Sequence, residues 1–172
     1  MVNQQNRFLK VSVIIFIYLS LASCGYYNFT GTGKIDAKTF QVSYFRNTAE
    51  IVQPGIERDF TIALQDLIQN QTNLNLTNRD ADLLYEGEIT DFRIAPMTAT
   101  ANQKAAQNRL SITVNVRFMN KKKSEDDFEK KFTFFYDYPA GEQLIGSKLS
   151  TATTEIFSRI TQDVFNESLA KW

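Results

Sequence analysis

The chain has 172 residues with 19 basic and 19 acidic side chains, and it contains no histidine. That absence removes the commonest general base, the commonest metal ligand and any Ser-His or Cys-His arrangement. The balanced charge leaves no electrostatic footprint for nucleic acid, which calls for a basic domain.

The N-terminus reads as a secretory signal. Arg7 and Lys10 are its charges, no acid precedes Cys24, and an apolar run from Val11 to Ala22 lies between. That run is short of the roughly 20 residues a spanning helix needs, so it is expected to be removed. Leu21-Ala22-Ser23-Cys24 resembles the lipobox of bacterial lipoproteins, in which the thiol is acylated and the chain is cut before it. Cys24 is the single cysteine, so no disulfide and no Cys-based metal site can form. It is the expected lipid attachment, and several acyl chains make such an anchor stable. No acid follows at Gly25, Tyr26, Tyr27 or Asn28, which is compatible with the outer membrane and a periplasmic face. Loss of residues 1–23 takes two bases and no acid, leaving 149 residues of net charge −2. That length suits one domain with a real core.

Residues 24–38, rich in Gly, Thr, Asn and Lys, read as an extended tether ahead of a domain over 39–172. The first strand is expected at Thr39–Phe45, with Phe40, Val42 and Tyr44 on one face. Pro54-Gly55 breaks the chain, and a helix follows over about Ile56–Asn70, its stripe running through Phe60, Leu64, Leu67 and Ile68. Leu74–Thr77 is a short extended piece at most. In the next strand Leu83, Tyr85 and Ile89 share a face, after which Phe92 and Ile94 carry it. The change of phase predicts a bulge near Thr90–Asp91. Pro96 weakens the strand's end, and Thr98–Asn108 reads as a long polar loop.

Leu110, Ile112, Val114, Val116 and Phe118 alternate with Ser111, Thr113, Asn115 and Arg117, the clearest strand in the sequence. A polar hairpin loop from Asn120 to Asp127 leads to a strand with Phe128, Phe132, Phe134, Tyr136 and Tyr138 on one face. A last helix is expected over about Ser147–Ala170, with Leu149, Ile156, Ile160 and Val164 as its stripe. The order β-α-β-β-β-α predicts a two-layer α+β sandwich of about four mostly antiparallel strands, one face covered by both helices. The other face would carry Glu86, Glu88, Thr113, Asn115, Arg117, Lys131 and Thr133, together with Met119 and Phe135.

No constellation here reads as an active site, so no catalytic residue, metal or cofactor is expected. Glu86 and Glu88 sit two apart on a strand, the spacing of a solvated face. Asp80 and Asp82 are expected to shape the turn before the strand. Glu125-Asp126-Asp127 lacks the spacing and glycine of a calcium loop. Lys121, Lys122 and Lys123 form a cationic hairpin tip that is either balanced by the neighbouring acids or offered to phosphates of an anionic lipid. Tyr26, Tyr27 and Phe29, beside the anchor, suit a membrane interface, a partner or the core.

Several segments in order resemble one family. They are Cys24-Gly-Tyr-Tyr-Asn-Phe-Thr-Gly31, Gln41-Val-Ser-Tyr-Phe-Arg-Asn47, Gln71-Thr-Asn-Leu-Asn-Leu76, Glu86-Gly-Glu-Ile-Thr-Asp91, Asn108–Phe118 and the terminal Ala170-Lys-Trp172. Together, behind the lipobox, they resemble LptE, the lipopolysaccharide-assembly lipoproteins, in the form found in Bacteroidetes-type bacteria. The resemblance implies a two-layer sandwich and a plug in the lumen of the outer-membrane β-barrel LptD, the two together inserting lipopolysaccharide into the outer leaflet. It implies no enzymatic activity. On that reading, Lys121, Lys122, Lys123, Arg93 and Arg117 are candidates for contact with lipopolysaccharide. Tyr26, Tyr27, Phe29, Phe45 and Phe135 are candidates for contact with the barrel or membrane. The alternatives are a periplasm-facing lipoprotein for another ligand or envelope partner, and a lipid-anchored hydrolase, against which the missing histidine and the lack of a nucleophile elbow weigh.

Overall fold

The computed structural model describes residues 35–97 and 106–170. Strand β1 (Thr39–Val42) and the two-residue β2 (Arg46–Asn47) lead to helix α1 (Ile56–Gln71). After it come β3 (Asn75–Leu76), β4 (Leu83–Met97) and β5 (Gln107–Asn120). A single 3-10 turn, Ser124–Asp126, joins β5 to β6 (Phe128–Pro139), and helix α2 (Ser147–Leu169) ends the domain.

These strands form one sheet in the order β3-β1-β4-β5-β6, with β2 also paired to β4. The expected α+β class and the two covering helices are present. The sheet differs from four mostly antiparallel strands in being mixed: β4, β5 and β6 are antiparallel, whereas β1, β2 and β3 run parallel to their neighbours. The reason is the connection. Helix α1 lies between β1 and β4 and carries the chain back across the sheet, which makes the two strands parallel.

The inner face of the sheet is apolar in cross-strand rows. Tyr85 lies opposite Phe118, and Phe118 opposite Phe128; Ile89, Val114 and Phe132 make another row, and Phe92, Ile112 and Phe134 a third. Ile56, Phe60, Leu64 and Ile68 of α1 and Ile156, Ile160 and Val164 of α2 are buried in the same core cluster. Helix α1 starts behind Gly55, whose φ of 90° is left-handed and costs a glycine little. Glu57 and Asp59 in its first turn suit the positive end of the helix.

The first strand departs from the expected single alternation. It ends at Val42; Tyr44 is 59% exposed, and Phe45 is fully buried. Two features cause the change of phase. The Phe45 N–H turns away from the sheet and donates to the Thr61 hydroxyl, which itself donates to the carbonyl of Glu57 one turn back on α1. Gly87 leaves a gap in the inner row between Tyr85 and Ile89, and the Phe45 ring fills it. A β-carbon on Gly87 would fall 2.8 Å from that ring. Phe45 then packs edge-on against Phe60, and Phe60 against Phe157, with centroids 4.9 and 5.2 Å apart. Phe45 is therefore a core residue, not a partner contact.

The predicted bulge is present, with the β4–β5 register shifting between Ile89 and Asp91. Phe92 is buried as expected, but Ile94 is 45% exposed. Among the described residues, pairing on that side of β4 stops at Ile89, opposite Asn47. The expected loop over Thr98–Asn108 is shorter at its C-terminal end. Gln107 and Asn108 belong to β5, bonded between Met97–Pro96 on one side and Pro139–Tyr138 on the other. Residues 98–105 lie outside the described residues.

Candidate functional site

The candidate residues fall into two places. Lys121, Lys122 and Lys123 form the tip of the β5–β6 hairpin, while Arg93 and Arg117 project from the sheet face opposite α1 and α2. The structure does not gather the five cations into one patch. Cys24, Tyr26, Tyr27 and Phe29 lie outside the described residues.

At the hairpin tip the Asn120 side chain accepts from the backbone N–H groups of Lys122 and Lys123, and Asp127 accepts from that of Asn120. This fixes a tight turn and splays the lysines. Lys121 reaches Asp80 at 3.8 Å, Lys122 reaches Asp82 at 3.3 Å, and Lys123 lies between Asp126 at 3.2 Å and Glu125 at 3.4 Å. Hydrogen bonds donated to Asp126 and then to Glu125 hold the Lys123 ammonium above the usual lysine range. Asp82 has a second role, accepting from the N–H groups of Lys38 and Thr39 while its own N–H donates to the Thr39 hydroxyl. The bond from Lys38 is the main cause that keeps its carboxyl below the ordinary range. The start of the domain is thus pinned beside the hairpin. A cleft of about 300 Å³ there is lined by Ile35, Ala37, Lys122, Lys123 and Leu169.

The open face of the sheet is a set of polar rows. Arg117 donates to Glu86 at 2.6 Å on one side and to Glu129 at 3.2 Å on the other, and Asn115 donates to Glu129 at 2.9 Å. Those contacts lower the Glu129 carboxyl, chiefly through Asn115, and raise the Arg117 guanidinium, chiefly through Glu129. Further along, the Thr113 and Thr133 hydroxyls bond each other at 2.9 Å, and Arg93 lies 3.8 Å from Asp91. Arg109 grips Asp137 with two bonds of 2.7 and 2.8 Å, depressing the Asp137 carboxyl, and its guanidinium lies 3.5 Å from the ring centre of Phe135. Phe135 itself is 41% exposed. Where the chain steps from β1 to β2, a cleft of about 280 Å³ opens beside Tyr44, Arg46, Glu88 and Arg117.

Among the described residues the face carries five acids, Glu86, Glu88, Asp91, Glu129 and Asp137, and five bases, Arg46, Arg93, Arg109, Arg117 and Lys131. Sequence alternation places the β4, β5 and β6 members of this set on one face, but not Arg46. It does not reveal that Arg109, at the start of β5, closes on Asp137 and covers Phe135. That pairing depends on the cross-strand register, which becomes readable only once the hairpin is known. Among the described residues there is no group of three or more acids or cysteines arranged to hold a metal ion. Among them, too, no helix is long and apolar enough to cross a membrane.

Among solved structures, a hypothetical protein from Chlamydia trachomatis has the same fold, with a TM-score of 0.55 at 9% identity over 78% of this chain and 99% of that one. A minor lipoprotein from Acinetobacter baumannii gives 0.47 at 13% identity, over 76% and 91% of the two chains. Rare lipoprotein B from Shewanella oneidensis gives 0.41 at 12% identity, over 74% and 89%. No curated protein matches the chain. The model of the lipopolysaccharide-assembly family LptE matches residues 37–168, from the pinned start of β1 to the last turn of α2, and the chain belongs to that family.

Proposed function

We propose that the chain is an outer-membrane lipoprotein anchored through Cys24, which seats in the lumen of an LptD-type β-barrel and helps it mature. Together the two deliver lipopolysaccharide to the outer leaflet. The observation that carries this reading is the family match over 37–168 behind a lipobox at Leu21–Cys24. In this reading residues 1–23 are the removed signal, 24–38 the tether and 39–172 the working domain, and the role is non-enzymatic. A porin-like lumen is wet and polar, and an uncharged centre of threonine and asparagine on the open sheet face suits it.

For contact with the glycolipid we assign Lys121 and its neighbour Lys122 at the hairpin tip rather than Arg117 or Lys123, which lies between Asp126 and Glu125. Arg117 is held by two carboxylates, whereas Lys121 is loosely paired with the fully exposed Asp80. Exposed pairs contribute about 0–1 kcal/mol, so a phosphate can displace such an acid. Arg93, on the open sheet face, is 3.8 Å from Asp91 and stands as a weaker candidate. Tyr26, Tyr27 and Phe29 are assigned to the membrane interface or the barrel rim next to the anchor.

The test is purification of the tagged, full-length chain from membranes in mild detergent. A large β-barrel protein recovered in stoichiometric amount is the expected result, and recovery of the lipoprotein alone would overturn the plug. Cys24→Ala is expected to leave the precursor uncut and misplaced. Unchanged fractionation of that variant with the outer membrane would overturn the anchor.

A further inference from the structure

We infer that the cleft where the chain steps from β1 to β2 is a binding site for one neutral sugar ring of the pyranose type. The site uses none of the hairpin lysines and stands whether or not the chain seats in a barrel. Three observations carry it.

The first is shape. A sheet face is shallow, yet here about 280 Å³ opens beside β4, lined by Ser43, Tyr44, Arg46, Glu88 and Asn115 among others. The local fold makes it. Pairing of β1 with β4 ends at Val42 and resumes only at Arg46, because the Phe45 ring turns into the core beside Gly87. Tyr44 is left outside, 59% exposed, and its hydroxyl donates to Glu57 at 3.2 Å, which holds the ring as a wall. The volume is close to the lower end of small-molecule sites, about 300 Å³, and suits one ring rather than a chain.

The second is unspent hydrogen bonding. Next to the cleft the polar groups use each other up: Arg117 is taken by Glu86 and Glu129, and the Asn115 amide donates to Glu129. Inside it, among the described residues, the Ser43 hydroxyl, the Arg46 guanidinium, the Glu88 carboxylate and the Asn115 side-chain carbonyl make no hydrogen bond. Arg46 and Glu88 face each other at 3.9 Å, an ion pair too long for one. A hydroxyl oxygen set about 2.8 Å from each bridges them and leaves the pair intact. It accepts from the guanidinium and donates to the carboxylate at once, which an ionised phosphate oxygen cannot do.

The third is the match of charge and surface. Glu86, Glu88 and Glu129 against Arg46 and Arg117 leave the lining one charge negative, so it does not draw in anions. A neutral polyhydroxyl ligand loses nothing to that field. One side of a pyranose is a patch of C–H groups, and the exposed Tyr44 ring offers the apolar, electron-rich face on which such a patch packs.

The experiment is saturation-transfer NMR on the full-length chain, in a detergent without a sugar headgroup. The probes are the methyl glycosides of glucose, galactose, mannose and N-acetylglucosamine. At least one is expected to bind and to receive saturation mainly on the C–H face of its ring, and excess inorganic phosphate should not displace it. Tyr44→Ala and Glu88→Gln are each expected to weaken binding about tenfold. Tyr44→Phe, which keeps the ring, should weaken it no more than about twofold, and Glu88→Gln and Tyr44→Phe should melt as the unaltered chain does. Lys121→Ala should leave binding unchanged. The inference is overturned if no glycoside binds, if phosphate displaces the bound one, or if Glu88→Gln and Tyr44→Ala bind as tightly as the unaltered chain. Loss of binding in Lys121→Ala would move the site to the hairpin and overturn it equally.

Discussion

The two faces of strands β4, β5 and β6 are made by alternate residues of the same segments, yet they are held together by different physics. On the inner side Ile89, Val114 and Phe132 are buried in the same core cluster as residues of both helices, and shape decides what fits. On the outer side Glu86, Arg117 and Glu129 line up in the same kind of row, and complementary charge decides. The inner face tolerates almost no change of volume. The outer face can exchange partners at small cost, which is what a docking surface requires.

The comparison predicts its own largest breakage. Phe60 is fully buried and links the Phe45 and Phe157 rings, so Phe60→Ala removes the centre of an aromatic chain that joins the β1–β2 connection, α1 and α2. A loss of about 3–5 kcal/mol is expected, read from denaturant unfolding. A loss below 1 kcal/mol would show that the three rings do not act as one core. Gly87→Ala is expected to cost about 1–3 kcal/mol in the same measurement, because the added carbon meets the Asn115 carbonyl and the Phe45 ring. If Gly87→Ala is neutral, Phe45 does not fill the gap as described.

Where the sequence was legible, one period governed a long stretch. Leu110 to Phe118 alternate without interruption, and β5 lies where that pattern puts it; the phase flip after Ile89 marked the bulge in β4. Legibility failed at Phe45, where two neighbours outside the strand overrode the alternation. Thr61 took its N–H, and Gly87 made room for its ring. Neither is visible within the window of a strand. The candidate site was legible as a face but not as a network. Alternation puts Arg109, Phe135 and Asp137 on one side of the sheet, but only the β5–β6 register brings them into contact. Lys123 and its acids Glu125 and Asp126 can be read together, being close in sequence; Asp80 and Asp82 read only as shaping the turn before β4, because nothing local shows that this turn lies beside the hairpin.

The outer face should yield to smaller tests. A double-mutant cycle on Arg117→Ala and Glu129→Ala is expected to give a coupling of about 0.2–1 kcal/mol that shrinks in high salt. Coupling above 2 kcal/mol would make this face as rigid as the core and remove the contrast.

Acid separates the two faces most cleanly, since among the described residues the buried core cluster holds no carboxylate and its Tyr85 hydroxyl, desolvated by burial, stays protonated. Asp137 and Glu129 have folded-state values lowered by Arg109 and by Asn115 with Arg117. A lowered carboxyl adds stability that is complete above its unfolded value, about 4, and fades as pH falls through the folded one. Melting temperature should therefore hold steady from pH 7 to about 5 and decline below about 4. Asp137→Asn should melt lower at pH 7 and show a shallower decline, because the native contribution it lacks is the one acid removes. Parallel curves for the two proteins would mean that Arg109 stabilises Phe135 by stacking alone and that its grip on Asp137 adds nothing.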